Sequence, residues 1–341
     1  MISIFFHKRL TSSLSKRIES FCQTFPSIGL HQDLLFSQAM EPKRQIVYCI
    51  AENTEKVIQG FSIIHYSFPI ASIQDGPIAK NAYIVNAMID SIRNRFSIRF
   101  FAFTTIQLPY ASIAEPKYNS KIDLFKNYIN YPNWSTSIID LTKNENDLKT
   151  LIKNFSKGHV SAIKKAEKTG ISVSNEFADE KIKAFALLFD ETYKTRNIKT
   201  QWDNSLNYFT MLSEIMKPTK SFFIGAYHEN CLVAGGIFLT QGDTVHYKFG
   251  SSNHQIRSIP LMHSVLYNAM LYAQNQGFHY FDLGGINTNA PEGSQVWAIN
   301  TFKKGFGGNI ISSPERIYLS NNRITLAFVL LLLKFKRLIH K

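Results

Sequence analysis

Runs rich in β-branched and aromatic residues alternate along this chain with stretches whose apolar positions recur at helical spacing. Gln45–Glu52 (QIVYCIAE) and Lys56–Tyr66 (KVIQGFSIIHY) read as strands joined by the polar turn Glu52-Asn53-Thr54-Glu55. Asp75-Gly76-Pro77 is a second turn, and Ile84, Ala87, Met88 and Ile92 predict a helix over Ala82–Arg95. Ser97–Gln107 (SIRFFAFTTIQ) reads as a strong strand ending before Pro109. After a loop at Tyr131-Pro132-Asn133 comes a short strand, Ser137–Leu141. Asn144 is placed to cap a helix reaching about Phe155, and Gly158–Lys168 continues helically to a stop at Gly170. Ile171–Ser174 is a strand, followed by a long amphipathic helix, Glu180–Arg196, with Ile182, Phe185, Leu188 and Phe189 on one face.

The second half repeats this grammar. Ser221–Tyr227, Cys231–Thr240 and Thr244–Gly250 are three strands with short polar turns, Gly242-Asp243 the clearest. Pro260 opens a helix running to Gln276 with Gly277 as its stop, and His279–Leu283 is the next strand. Each half thus carries a strand hairpin, a helix and a further strand. That predicts an α/β (α+β) protein with an internal duplication at domain scale. The expected division is 1–145, 146–320 and a C-terminal segment 321–341.

In that last segment Ile324–Leu333 (ITLAFVLLLL) precedes Lys334, Lys336, Arg337 and Lys341. It falls short of the roughly 18 apolar residues a spanning helix needs. Two readings stand: a helix lying at a bilayer surface with its lysines on headgroups, or a helix packed on the protein's own core with a solvated basic end.

Hydrophobic residues make up 45% of the chain and charged residues 18%, enough to bury a sizeable core, which excludes disorder for the bulk of the chain. Lys and Arg number 38 against 25 Asp and Glu, giving +13 and pointing to a polyanionic partner such as nucleic acid, anionic lipid or a phosphate-rich substrate. Cys22, Cys49 and Cys231 are odd in number and far apart. Without a leader pattern at the start, they read as reduced thiols of a cytoplasmic protein.

HExxH, paired CxxC, P-loop and GxSxG patterns are absent from the sequence. Metalloprotease, zinc-ribbon, NTPase and hydrolase readings therefore lack support, and no metal is expected at the scattered histidines. Within Leu151–Gly170 the residues Lys157, Lys164, Lys165 and Lys168 form either a solvated face or an anion-binding surface. The loop Ser251–Pro260 precedes a helix start, where Arg257 and Ser258 suit a phosphate. The most specific pattern is Tyr280–Gly285 (YFDLGG) followed by Phe302–Gly308 (FKKGFGG). Gly284 and Gly285 would let a substrate approach the backbone, and Lys303, read as held by a glycine-rich turn, would stabilise developing negative charge.

These pieces together resemble the Fem family of peptidoglycan-bridge aminoacyltransferases, and more broadly two tandem GNAT-like acyltransferase domains with mixed, mostly antiparallel sheets flanked by helices. The resemblance rests on Ile138–Leu141 leading to Ser156–Gly170, on Cys231–Ser252, on Tyr280–Gly285 and on Phe302–Gly307, and spans roughly residues 30 to 318. Lys303 matches the lysine of the family's FKxGF motif. The resemblance implies transfer of an activated acyl or aminoacyl group to an amine or hydroxyl of a lipid-linked cell-envelope precursor or a sugar. It implies no tightly bound cofactor. The donor stays open between aminoacyl-tRNA and acyl-CoA, since Gln255–Pro260 does not carry the GNAT pyrophosphate-loop pattern. The long helical arm of some Fem enzymes is absent.

The expected chemistry is direct attack without a covalent intermediate, placed in the second domain. Lys303 and backbone N–H groups would meet the oxyanion, Asp282 would accept the acceptor's proton, and Tyr247 or Tyr280 would return one to the leaving group. Two alternatives remain: an acetyl-CoA-dependent N-acetyltransferase of polysaccharide biosynthesis, and a non-catalytic protein that binds RNA or a membrane surface on the same fold. Localisation is expected to be cytoplasmic, at the inner face of the cell membrane if the tail makes peripheral contact.

Overall fold

The computed structural model describes residues 2–25, 28–40, 44–110, 134–142, 151–176, 178–195, 204–216, 220–256 and 258–339. Two compact units emerge: Met1–Asn133 with Ser312–Lys341, and Trp134–Ile311.

The first unit runs β1 (Ile2–His7), α1 (Ser12–Cys22), α2 (Leu34–Met40), β2 (Gln45–Asn53), β3 (Ile58–Ser67), β4 (Ile70–Ile73), β5 (Ile78–Ala79), α3 (Ala82–Ile98) and β6 (Phe103–Ile106). The β2–β3 hairpin forms where expected, and the Asn53 side chain holds its turn by accepting from the Glu55 and Val57 N–H groups. Residues Val47–Ala51 are buried throughout instead of alternating, because helices cover both faces of this sheet. Val47, Cys49 and Ala51 pack with Ile84, Met88, Ile92 and Phe96 of α3. Tyr48 and Ile50 pack with Ile18 and Phe21 of α1. Asn81 caps α3 by accepting from the Ile84 N–H.

The strand expected over Ser97–Gln107 is much shorter. Burial of Phe96 carries α3 on to Ile98, the chain reverses at Phe100 with φ +59°, and β6 begins only at Phe103.

The second unit runs β7 (Trp134–Asp140), α4 (Lys157–Lys168), β8 (Ser172–Ser174), α5 (Asp179–Thr195), α6 (Ser205–Met216), β9 (Ser221–His228), β10 (Cys231–Gln241), β11 (Thr244–Ser252), α7 (Leu261–Asn275), β12 (Tyr280–Asn287), α8 (Gln295–Lys304) and β13 (Asn309–Ser312). Ser156 caps α4 through the His159 N–H. The helices α4 and α7 end just before the expected stops at Gly170 and Gly277. The helix start expected at Asn144 and the loop at Tyr131-Pro132-Asn133 lie outside the described residues.

The sheet order is β13-β7-β12-β11-β10-β9-β8. One face packs Val245, Phe238 and Phe281 against Val265, Leu266 and Ala269 of α7 and Ile163 of α4. On α5 and α6, Phe185, Phe189 and Phe209 meet Phe223 and Phe249 edge-on or tilted. One element differs from expectation at the motif that mattered most: Phe302-Lys303-Lys304 is the last turn of α8, and the glycine turn only follows it.

The chain then returns to the first unit as β14 (Ile317–Ser320) and α9 (Arg323–Ile339). β14 pairs antiparallel with β6, completing the order β1-β2-β3-β4-β6-β14 with β5 on β3. This pairing, and that of β7 with β12, put the unit boundaries after 133 and 311, where the sequence suggested 145 and 320. Among the described residues each sheet holds a parallel pair bridged by a helix, β4 and β6 by α3, β11 and β12 by α7. That shared plan is the duplication seen in the sequence. Among the described residues no helix is long and apolar enough to cross a membrane.

Candidate functional site

The parallel pairing of β11 with β12 spans three residue pairs, the last being His246 opposite Asp282. Beyond it β11 stays with β10, while β12 shifts register between Asp282 and Gly285 to follow β7. The two strands part there, and the residues singled out from YFDLGG and FKKGFGG meet at that parting.

Asp282 is buried, and both its carboxylate oxygens are occupied. Oδ1 accepts from Thr136 Oγ1 on β7 and from the Gly284 N–H at 2.7 Å, and Oδ2 lies 3.1 Å from His246 Nδ1. Burial alone would raise its pKa. The hydrogen bond and charge of His246, with the Thr136 and Gly284 donors, outweigh that and hold it below the usual carboxylate value.

Lys303, on the last turn of α8, donates from Nζ to the Gly285 carbonyl oxygen at 2.8 Å. Burial lowers its pKa to about 8, with Asp282 opposing the shift and Lys248 adding to it. Gly284 lies between these groups with φ +76°. A Cβ there would stand 3.4 Å from the Tyr247 carbonyl oxygen and 3.6 Å from Lys303 Nζ. Glycine therefore satisfies both the left-handed backbone and the close approach.

Next to this gap an aromatic and imidazole cluster fixes α8 to α4. His159 donates from Nε2 to the Phe302 carbonyl at 2.8 Å, and its Nδ1 lies 3.0 Å from Ser156 Oγ. Its ring packs edge-on against His263, 4.5 Å between centroids, and against Phe306 at 4.6 Å. A Cβ on residue 305 would overlap the His159 ring, so the Gly305 backbone is what lets the ring seat. Burial lowers the pKa of both histidines. His263 falls to about 4, with His159 adding to the effect of burial. His263 and Phe302 wall one side of a cavity of about 540 Å³, which Ser252, Asn253, Ile259 and Thr195 help to line.

The other expected site residues divide. Tyr247 follows His246 on β11 and packs with the core near Phe238. Gly285 lies against the Trp134 ring. Tyr280 is exposed at the start of β12, two residues before Asp282. Lys164 and Lys165 are exposed on α4, on the solvent side of the buried Ile163 and Ala166. Ser258 is exposed and does not line the cavity, and Arg257 lies outside the described residues. His246, Thr136, His159 and His263 were missed as site residues. Only His246 had a local signal, its place on the strand beside YFDLGG. Among the described residues no cluster of three His, Cys, Asp or Glu could hold a metal ion.

Comparisons with known proteins bear on this arrangement. The sequence profile of the FemAB family matches residues 125–229 and 219–325. A lipid II:glycine glycyltransferase of Staphylococcus saprophyticus is 27% identical over 133 residues, 39% of this chain and 31% of that protein. One from Staphylococcus aureus is 27% identical over 79 residues, 23% and 19% of the two chains. The matched stretch thus spans less than a third of these curated relatives. Among solved structures, FemX superposes with a TM-score of 0.76 at 15% identity, covering 96% of this chain and 100% of that one. A tandem GNAT protein from the clavulanic acid biosynthesis pathway gives 0.57 at 9% identity, covering 94% and 99%. These two likenesses establish the fold as tandem GNAT-like units.

Proposed function

This chain belongs to the FemAB family, and from that membership we propose that it is an aminoacyltransferase acting on a lipid-linked peptidoglycan precursor, with aminoacyl-tRNA as donor. Family membership and relatives named for moving glycine to lipid II support the reaction class. The observation that carries the reading is Lys303, a buried ammonium with its pKa near 8, anchored where β11 and β12 part.

In this reading the acceptor's amine nitrogen attacks the ester carbonyl carbon of the donor. The amide C–N bond forms, the ester C–O bond breaks, and the amine's proton passes to the departing ribose oxygen. Negative charge collects on the carbonyl oxygen during attack. At neutral pH Lys303 is mostly protonated, so its Nζ donates to that oxygen from a site already fixed before substrate arrives.

Asp282 serves as a positioning residue. A carboxylate with its pKa depressed and both oxygens engaged is a poor proton acceptor, but it fixes His246, Thr136 and the Gly284 turn and keeps Lys303 charged. Tyr247, whose carbonyl oxygen borders Gly284, keeps the proposed role of returning a proton to the leaving group. Tyr280, exposed at the start of β12, is assigned no step in this reading.

The test is incubation of the purified chain with lipid II and either glycyl-tRNA, other charged tRNAs or acetyl-CoA, followed by mass spectrometry of the lipid. Aminoacyl addition from a charged tRNA is the expected result. Turnover of acetyl-CoA without transfer from any charged tRNA overturns it in favour of an N-acetyltransferase.

A further inference from the structure

Among the described residues α9 packs on the first unit by one face. Leu326, Val329 and Leu330 lie against Ile70, Phe103 and Tyr318. The opposite face carries Ile324, 80% exposed, Phe328 at 60%, and Leu331 and Leu332 at 52% each. These positions, i, i+4, i+7 and i+8, form a continuous apolar stripe along the helix. A helix that only capped the core would turn polar residues outward, so this stripe is built for a second apolar surface.

The charge pattern indicates which surface. Arg323, Lys334, Lys336, Arg337 and Lys341 all fall in a stretch without Asp or Glu beyond Glu315. An apolar stripe flanked by cations alone complements an anionic lipid surface, with side chains among the acyl chains and cations at headgroup level. The 17 residues of α9 extend about 25 Å. That is shorter than the roughly 30 Å hydrocarbon core, which suits a helix lying along a surface better than one crossing it.

A second feature lies at the end of the sheet where α9 begins. β4 and β6 are parallel with Ile70 opposite Phe103, so the loops preceding them emerge at one end of the sheet. β14 finishes at that end, where the Asn321 N–H donates to the Ala102 carbonyl at 3.0 Å, and α9 starts two residues later. Phe68 and Phe100 in these loops and Ile98 at the end of α3 are all exposed, with the exposed Arg99 between the last two. Apolar side chains interleaved with arginine thus adjoin the start of the helix.

We infer that the outer face of α9, with the Phe68 and Phe100 loops, is a docking surface for an anionic phospholipid bilayer. The inference stands on the first unit and is independent of the chemistry assigned to the second.

The full chain is tested by co-sedimentation with vesicles of phosphatidylcholine alone and of phosphatidylcholine containing phosphatidylglycerol. Binding to the anionic vesicles is expected, at least about tenfold weaker on neutral ones and in Phe328→Glu/Leu332→Glu. Both substituted residues are exposed, so the fold should persist, which circular dichroism checks. A Phe328→Trp variant provides a second readout, its emission shifting to the blue on addition of anionic vesicles. Absence of vesicle binding, or equal binding by the double variant, overturns the inference. So does a concentration-dependent dimer, abolished by the double variant, without vesicle binding, because the stripe then belongs to a second copy of the chain.

Discussion

His246 and Asp282 face each other across the last paired residues of β11 and β12, with Nδ1 3.1 Å from Oδ2, and the strands diverge beyond them. This contact closes the paired end of the fork whose open side receives Lys303. Thr136 ties the same carboxylate to β7, so one side chain joins three strands at the divergence.

Asp282→Ala should therefore cost stability and shift the chemistry together. Removing a buried, hydrogen-bonded carboxylate and leaving its partners unpaired destabilises by about 3 kcal/mol, to be read from urea unfolding. Lys303 also loses the group that opposes its desolvation, so its pKa should drop below about 8. The alkaline limb of the activity profile should move to lower pH in the same variant.

Transfer should decline as pH rises through about 8 in the wild-type protein, because the ammonium that meets the oxyanion is lost there. Initial rates from pH 6 to 10 at saturating substrate would show it. A limb that stays in place after Lys303 is replaced by arginine would assign the titration to another group.

The histidine pair predicts acid sensitivity. His263 titrates at about 4 and His159 below its usual value in the folded chain, so the unfolded chain takes up these protons first. Stability should fall as pH drops below roughly 6.5, the unperturbed histidine value, and level off for His263 near 4. Asp282, also depressed, loses its contribution in a lower window, below its ordinary value of 3.8. Melting temperatures from pH 7.5 to 4 should flatten in His263→Gln.

Gly305→Ala should destabilise by about 1–3 kcal/mol, since the added methyl overlaps the His159 ring. Gly158→Ala, near the start of α4 with open space around it, should be neutral or stabilise by up to about 1 kcal/mol. Thermal melts of the two variants check the contrast.

Much of the fold was legible because its signals are local. The β2–β3 hairpin is marked by Asn53, whose side chain organises the turn, and α4 by Ser156, which caps it. β9 and β10 are largely apolar runs broken by a short polar turn. What escaped depends on contacts distant in sequence. β14 joins the first sheet through β6, more than two hundred residues earlier, and no local pattern announces that return. FKKGFGG looked like a glycine turn because its glycines dominate the composition. The Ser294 side chain caps a helix that carries Phe302 and Lys303 on its last turn.

The candidate site was read in the same uneven way. Lys303, Asp282 and Gly284 stood out as a motif and do converge. His159 and His263 are brought together with Phe302 only by packing of α4, α7 and α8, and a lone histidine in a basic helix gives no sign of it.

The most direct test of the account is steady-state aminoacyl transfer to lipid II by the wild-type protein and Lys303→Met, with unchanged folding confirmed by circular dichroism. The account predicts a fall in kcat of about 10²–10³-fold with KM little changed, as for loss of one oxyanion donor. Full transfer by Lys303→Met would contradict it.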